Sequence, residues 1–158
     1  MTIYIIEPRY GHLRTIEQWR KEPDPTIAEL VCISGSMTGH ILMHKNLLRD
    51  ENGIIKCTWD KACELVEHLE IASTLPTYHQ CIDIYDARFC GLDEALELIG
   101  GDPLTDYWIW TGDEDPDPEY NSGGAFFFNG DDGSVYNYGK YITLAVRPIA
   151  KSVPLRRL

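Results

Sequence analysis

From Ala125 to Tyr138 the chain reads AFFFNGDDGSVYNY, two β-prone runs on either side of Asn129-Gly130-Asp131-Asp132-Gly133. Asn and Gly tolerate the positive φ of a tight connection, so the stretch predicts an antiparallel hairpin of Ala125–Phe128 with Ser134–Tyr138. A hairpin constrains a fold strongly, because it sets strand direction and neighbour at once. Upstream, YWIWT at 107–111 reads as a third strand. Downstream, Ile142, Leu144 and Val146 alternate with Thr143, Ala145 and Arg147. That period-2 pattern predicts a final strand with one face on a core.

The rest of the chain supplies more strands and then helices. Thr2–Ile6, residues 27–33 and Gly39–His44 read as strands, the last two joined by a turn at Ser34-Gly35-Ser36. Leu13, Ile16 and Trp19 suggest a short helix that Pro23 ends. Thr58 can cap a helix whose apolar residues Ala62, Leu65, Val66 and Leu69 recur at helical spacing. Thr77 and Gln80 form a capping box for a second helix, with Cys81, Ile82, Ile84 and Tyr85 on its buried face. Leu92 to Ile99 makes a third, with Asp93 and Glu94 at its start and Gly100-Gly101 as its stop. Strands, then helices, then strands predict an α+β fold with helices gathered on one side of an antiparallel sheet. Neither an internal repeat nor a compositional break divides the 158 residues, so they read as a single domain, 1–158.

Charge narrows the partners. The formal net charge is −11, and residues 93–132 carry twelve Asp or Glu with no Lys or Arg. Such a surface repels phosphate backbones, so nucleic acid is not expected as a partner. No window approaches the ~20 apolar residues of a membrane span, and the N-terminus carries no secretory signal pattern. As written, the chain reads as cytoplasmic, with an exported or particle-associated location as the alternative. Its five cysteines, Cys32, Cys57, Cys63, Cys81 and Cys90, are odd in number and form no C-x-x-C pair, which favours reduced thiols.

Six segments in one order, TWDKACELVEHL, LPTYHQC, LDEALELIGGDPL, YWIWTGDE, GGAFFFNGDDGSVYNY and YITLAVRPI, resemble the Lcl C-terminal-like domain family of bacteria. The resemblance covers Gly39 to Ile149. It implies a C-type-lectin-like fold, in which N- and C-terminal strands pair; here that expectation joins Thr2–Ile6 to Tyr141–Arg147. The same fold is used by variable proteins of diversity-generating retroelements, which display binding residues on the corresponding strand-to-hairpin region, and by formylglycine-generating enzymes. The latter need reactive cysteines near their C-terminal strands, and this chain has none after Cys90. Ile109-Trp110 and Gly112 depart from the family's serine-rich pattern at that strand, and residues 1–38 have no family counterpart.

Three sets of residues are site candidates. The first is the polar-aromatic set Trp110, Tyr120, Asn121, Phe126, Tyr136, Asn137 and Tyr138, residue types that give large contact area at low entropy cost. Alternation in Ala125–Phe128 puts Ala125 and Phe127 on one face and Phe126 and Phe128 on the other, so one aromatic face is available for binding. Val135 is the natural core residue of its run, which turns Tyr136 and Tyr138 outward. The second set is the acidic loop Asp113, Glu114, Asp115, Asp117 and Glu119. Its oxygens could ligate calcium, but with Pro116 and Pro118 and no EF-hand glycine it reads as a solvated loop. The third is His40, His44, Cys63, His79 and Cys81; two histidines four apart on a strand lie roughly 13 Å from each other, too far to share a metal. The expectation is a non-enzymatic recognition domain that takes a protein or glycan ligand and needs no cofactor. A structural or assembly subunit of a phage-like or surface particle is the alternative.

Overall fold

The computed structural model describes residues 1–7, 11–24, 28–115 and 123–152, together with the backbone of 156–157. In chain order its elements are β1 (Thr2–Glu7), β2 (His12–Thr15), α1 (Ile16–Lys21), β3 (Leu30–Ser36), β4 (Gly39–His44), β5 (Arg49–Asp50) and β6 (Gly53–Ile54). Then follow α2 (Trp59–Glu67), β7 (Ser73–Thr74), α3 (Tyr78–Ala87), a 3-10 turn at Arg88–Cys90 and α4 (Leu92–Leu98). The chain closes with β8 (Trp108–Glu114), β9 (Gly124–Asn129), β10 (Val135–Gly139), β11 (Ile149–Ala150) and β12 (Arg156–Arg157). The class is α+β.

Capping chemistry explains where the helices begin. Thr15 and Gln18 exchange side-chain and backbone bonds at the start of α1, and Thr77 and Gln80 do the same at α3. At α2, Thr58 holds the cap position without a side-chain hydrogen bond. The expected buried face of α3 needs one correction. Cys81 and Ile84 point inward, but Ile82 is exposed and Asp83 is buried in its place. Asp83 Oδ2 accepts from the amide and the hydroxyl of Thr38, at 3.0 and 2.6 Å. It thereby ties the helix to the β3–β4 turn, and that explains a buried carboxylate that periodicity alone would place in water.

A seven-stranded sheet runs in the order β12-β2-β1-β3-β4-β11-β7, antiparallel except where β12 meets β2. Helices α1, α3 and α4 cover one face of it, burying Trp19, Ile84, Leu92 and Leu96 against Ile5, Val31, Ile33, Ile41 and Met43. A second, three-stranded sheet has the order β10-β9-β8. It is packed on both faces: α3 lies on the Ile109, Phe128 and Val135 side, and α2 on the Trp110 and Ala125 side. Helix α3 therefore serves two cores at once, with Ile84 and Ala87 toward the large sheet and Cys81 and Tyr85 toward the small one.

The C-terminal stretch differs from the sequence expectation in two ways. Tyr141–Arg147 is not a continuous strand; it makes only single bridges, Leu144 with Cys57 and Ala145 with Ile109. The alternation stops at Leu144, and residues 145–150 are all buried because they run between the two sheets, with protein on both sides. Nor does Tyr141–Arg147 pair with Thr2–Ile6. β1 lies between β2 and β3, while β11 inserts between β4 and β7, with Ile149 opposite both Met43 and Thr74. The physical reason is that the first three strands extend the sheet on the far side of β4, so the strand that meets the C-terminal segment is the one beginning at Gly39.

Arg147 joins these parts. Its side chain is 1% exposed. One guanidinium nitrogen donates to the carbonyls of His44 and Lys45 at 3.2 and 2.6 Å, and the other to those of Asp102 and Pro103 at 2.8 and 3.3 Å. Burial pushes its pKa down to about 10, which leaves the cation charged at neutral pH. Beside it, Asp102 pairs with Arg49 and accepts the Leu47 amide at 2.8 Å, and the Arg49 bond holds its carboxyl below the usual range.

Candidate functional site

The exposed part of the small sheet is aromatic. On one face the strands align Trp108 and Trp110 of β8, Ala125 and Phe127 of β9, and Tyr136 and Tyr138 of β10, with Tyr136 opposite Phe127 and Phe127 opposite Trp110. The ring of Trp108 meets Phe127 at 5.3 Å and Tyr136 at 5.4 Å in edge-on contacts, and Phe127 meets Tyr136 at 6.2 Å. Tyr138 meets Tyr141 at 5.9 Å. Tyr136 is 54% exposed, Tyr138 50% and Tyr141 72%. A shallow hollow of about 190 Å³ opens next to Trp108, lined by Lys56, Asp106, Tyr107 and Thr143. Lys140 lies over the Trp59 ring at 4.5 Å and pairs with Glu114 at 2.9 Å, so its charge is already engaged.

The predicted site residues separate. Tyr136, Asn137 and Tyr138 are exposed on β10, as alternation from Val135 suggests for the two tyrosines. Trp110 is a correction: it is wholly buried against Ala62, Val66, Leu75 and Val146, with its indole N–H donating to the Cys57 carbonyl at 2.8 Å. It shares a sheet face with Tyr136 but lies under α2, where no ligand reaches it. Phe126 is half-buried on the opposite face, with its ring 5.7 Å from Tyr78 of α3, so it does not join the tyrosines. Tyr120 and Asn121 lie outside the described residues. Sequence reasoning missed Trp108, Phe127 and Tyr141. Period-2 spacing does put Trp108 on the Trp110 face, but only the placement of α2 shows which of the two emerges from under it.

The acidic loop is partly structural. Asp113 Oδ2 accepts the Tyr78 amide at 2.6 Å, so this carboxylate caps the positive end of α3. Asp115 accepts from the Asn137 amide group, and Glu114 holds Lys140. Asp117 and Glu119 lie outside the described residues. Among the described residues, no three His, Cys, Asp or Glu side chains converge as a metal site. Burial raises the Cys81 and Cys63 thiol pKa values, which disfavours their thiolates. His79 packs on Tyr78 at 4.0 Å, and His40 is exposed.

His44 has a structural role with a pH signature. Its Nε2 lies 2.9 Å from the Ser73 hydroxyl, and burial followed by the Arg147 charge lowers its pKa to about 4. The folded state therefore prefers neutral imidazole. Its stabilising effect is complete above the unfolded value of about 6.5 and is lost as pH falls to about 4, a change of up to about 3 kcal/mol. Urea unfolding at pH 7 and pH 4 should show that loss, and His44→Gln, which cannot take up the proton, should show a pH difference smaller by about that amount.

No protein-family model matches the chain, and no curated protein matches it either. Among the described residues, no helix is long and apolar enough to cross a membrane.

Proposed function

We propose that the protein is a non-enzymatic recognition domain that binds a protein or glycan ligand through the aromatic face formed by Trp108, Phe127, Tyr136, Tyr138 and Tyr141. The observation that carries this reading is the exposure of Tyr136 and Tyr138 beside a ring cluster in which Trp108 and Phe127 meet Tyr136. Large, rigid aromatic side chains at the surface are the residue type from which binding hot spots are built. The histidines and acids nearby have packing and capping roles, which suits recognition better than catalysis.

The finer fold assignment, a C-type-lectin-like domain related to the Lcl C-terminal-like family, belongs to the same proposal. Motif order supports it. So does the pairing of β4 with β11, since these strands hold the two ends of the resembling segment, Gly39 and Ile149. Residues 1–38 then supply an extension that widens the sheet by β1, β2 and β3.

The test is a Tyr136→Ala/Tyr138→Ala double variant screened beside the wild type on glycan and protein arrays. The variant is expected to stay folded, because both rings are half exposed, and to lose about 2 kcal/mol or more of binding energy for each hot-spot ring, roughly thirtyfold in affinity. A folded variant that captures the same ligand with unchanged affinity would refute the assignment. A stable wild-type oligomer in light scattering that the double variant dissolves would favour the assembly-subunit alternative instead.

A further inference from the structure

The two outer edges of the small sheet are treated differently. The β8 edge is covered. The Trp110 amide donates to the Ala145 carbonyl at 3.2 Å, the Ala145 amide to the Trp108 carbonyl at 3.2 Å, and the Gly112 amide to the Pro76 carbonyl at 2.8 Å. The β10 edge has no strand beside it among the described residues. Its open backbone groups follow from the ladder. Asn129 donates to the Ser134 carbonyl and Lys140 to that of Gly123, which makes 134, 136, 138 and 140 the residues bonded to β9. The N–H and C=O of Val135 and Asn137 then point away from the sheet.

Exposed edges are normally blunted by a lysine, a proline, a bulge or extreme shortness. The large sheet follows this rule, since β12 and β7 have two residues each. β10 does not. Its five residues, VYNYG, contain no charge and no proline, and its register with β9 is regular throughout.

We infer that β10 is a docking edge on which an extended, basic segment of a partner polypeptide adds as a fourth strand. This deepens the recognition reading and rests on it, because the added strand would lie against Tyr136 and Tyr138. Charge selects the partner. Asp131 and Asp132 are exposed in the turn that leads into the strand, and Asp115 accepts a bond from Asn137 on the face away from the tyrosines. A second copy of this chain would bring another net charge of −11 to the same edge, whereas a segment bearing Lys or Arg is attracted to it. Directly opposed residues share a face, so basic side chains opposite Asn137 meet Asp115 while the alternate, apolar side chains meet the tyrosines. The preferred segment therefore alternates basic with apolar residues.

The experiment pans a random twelve-residue peptide library on the protein and measures the affinity of selected peptides for three forms: wild type, Asn137→Ala and Asn137→Pro. Asn137→Ala removes the Asp115 contact and keeps the edge N–H. Asn137→Pro removes both, and proline is tolerated where an edge N–H faces solvent. The expected result is enrichment of basic–apolar alternation, with affinity within threefold for Asn137→Ala and at least tenfold weaker for Asn137→Pro. Should the proline variant not fold, N-methylating alternate amides of the peptide tests the same backbone bonds and should cost tenfold or more. No enrichment, peptides without the alternation, or binding indifferent to both the proline and the N-methyl groups overturns the inference. Loss of capture on Tyr136→Ala/Tyr138→Ala with unchanged capture on a folded Asn137→Pro would leave the recognition surface standing and refute strand addition alone; indifference to both refutes both.

Discussion

Arg147→Ala is expected to destabilise the protein by about 4 kcal/mol, enough to lower its melting temperature by roughly 8–16 °C at this chain length. The side chain serves four carbonyls from two places in the chain, His44 and Lys45 at the end of β4 and Asp102 and Pro103 after α4. Removing it takes a donor from each of these carbonyls, of which Lys45 keeps the Asp102 amide at 2.9 Å, and an orphaned buried acceptor costs about 1–3 kcal/mol. Lysine should rescue less than half of the loss, because one ammonium cannot span two pairs of carbonyls as a planar fork does. Calorimetry on wild type, Arg147→Ala and Arg147→Lys checks this. Equal stability of wild type and the alanine variant would show that the carbonyls find other donors.

Trp110→Ala should cost about 3–5 kcal/mol, since it empties the largest wholly buried side chain and takes one of two hydrogen bonds from the Cys57 carbonyl, which keeps the Leu144 amide at 3.0 Å. Trp108→Ala, two residues earlier on the same strand face, removes a half-buried ring at the edge of the cluster and should cost about 1–2 kcal/mol. Chemical denaturation of the two variants separates a core tryptophan from a surface one. Indistinguishable unfolding midpoints would overturn the placement of α2 over this face.

Much of the fold was legible locally. The capping box at Thr77, the β9–β10 hairpin around Asn129-Gly130, the helical spacing of α2 and the end signals of α4 all rest on interactions within a few residues. What could not be read was set by distant packing. Trp108 and Trp110 are equivalent by alternation, and only α2 makes one core and the other surface. Asp83 is buried because Thr38, far away in sequence, bonds to it. Arg147 follows the polar half of an alternating pattern yet is buried, because its partners are backbone carbonyls that carry no sequence signature. Of the candidate site, Tyr136 and Tyr138 were legible from Val135, while their neighbour Phe127 required knowing that both faces of the small sheet are used.

The insertion of β11 between β4 and β7 also bears on how the chain is made. A sheet whose interior strand comes from residues 149–150 cannot be completed while synthesis has reached only the first hundred residues. Until then the β4 edge stays open, and Met43, wholly buried in the finished fold, lacks the strand that Ile149 supplies opposite it. Nascent chains therefore expose a pairing edge until Ile149 has been made, and fragments ending before it should be prone to aggregate and be bound by holding chaperones.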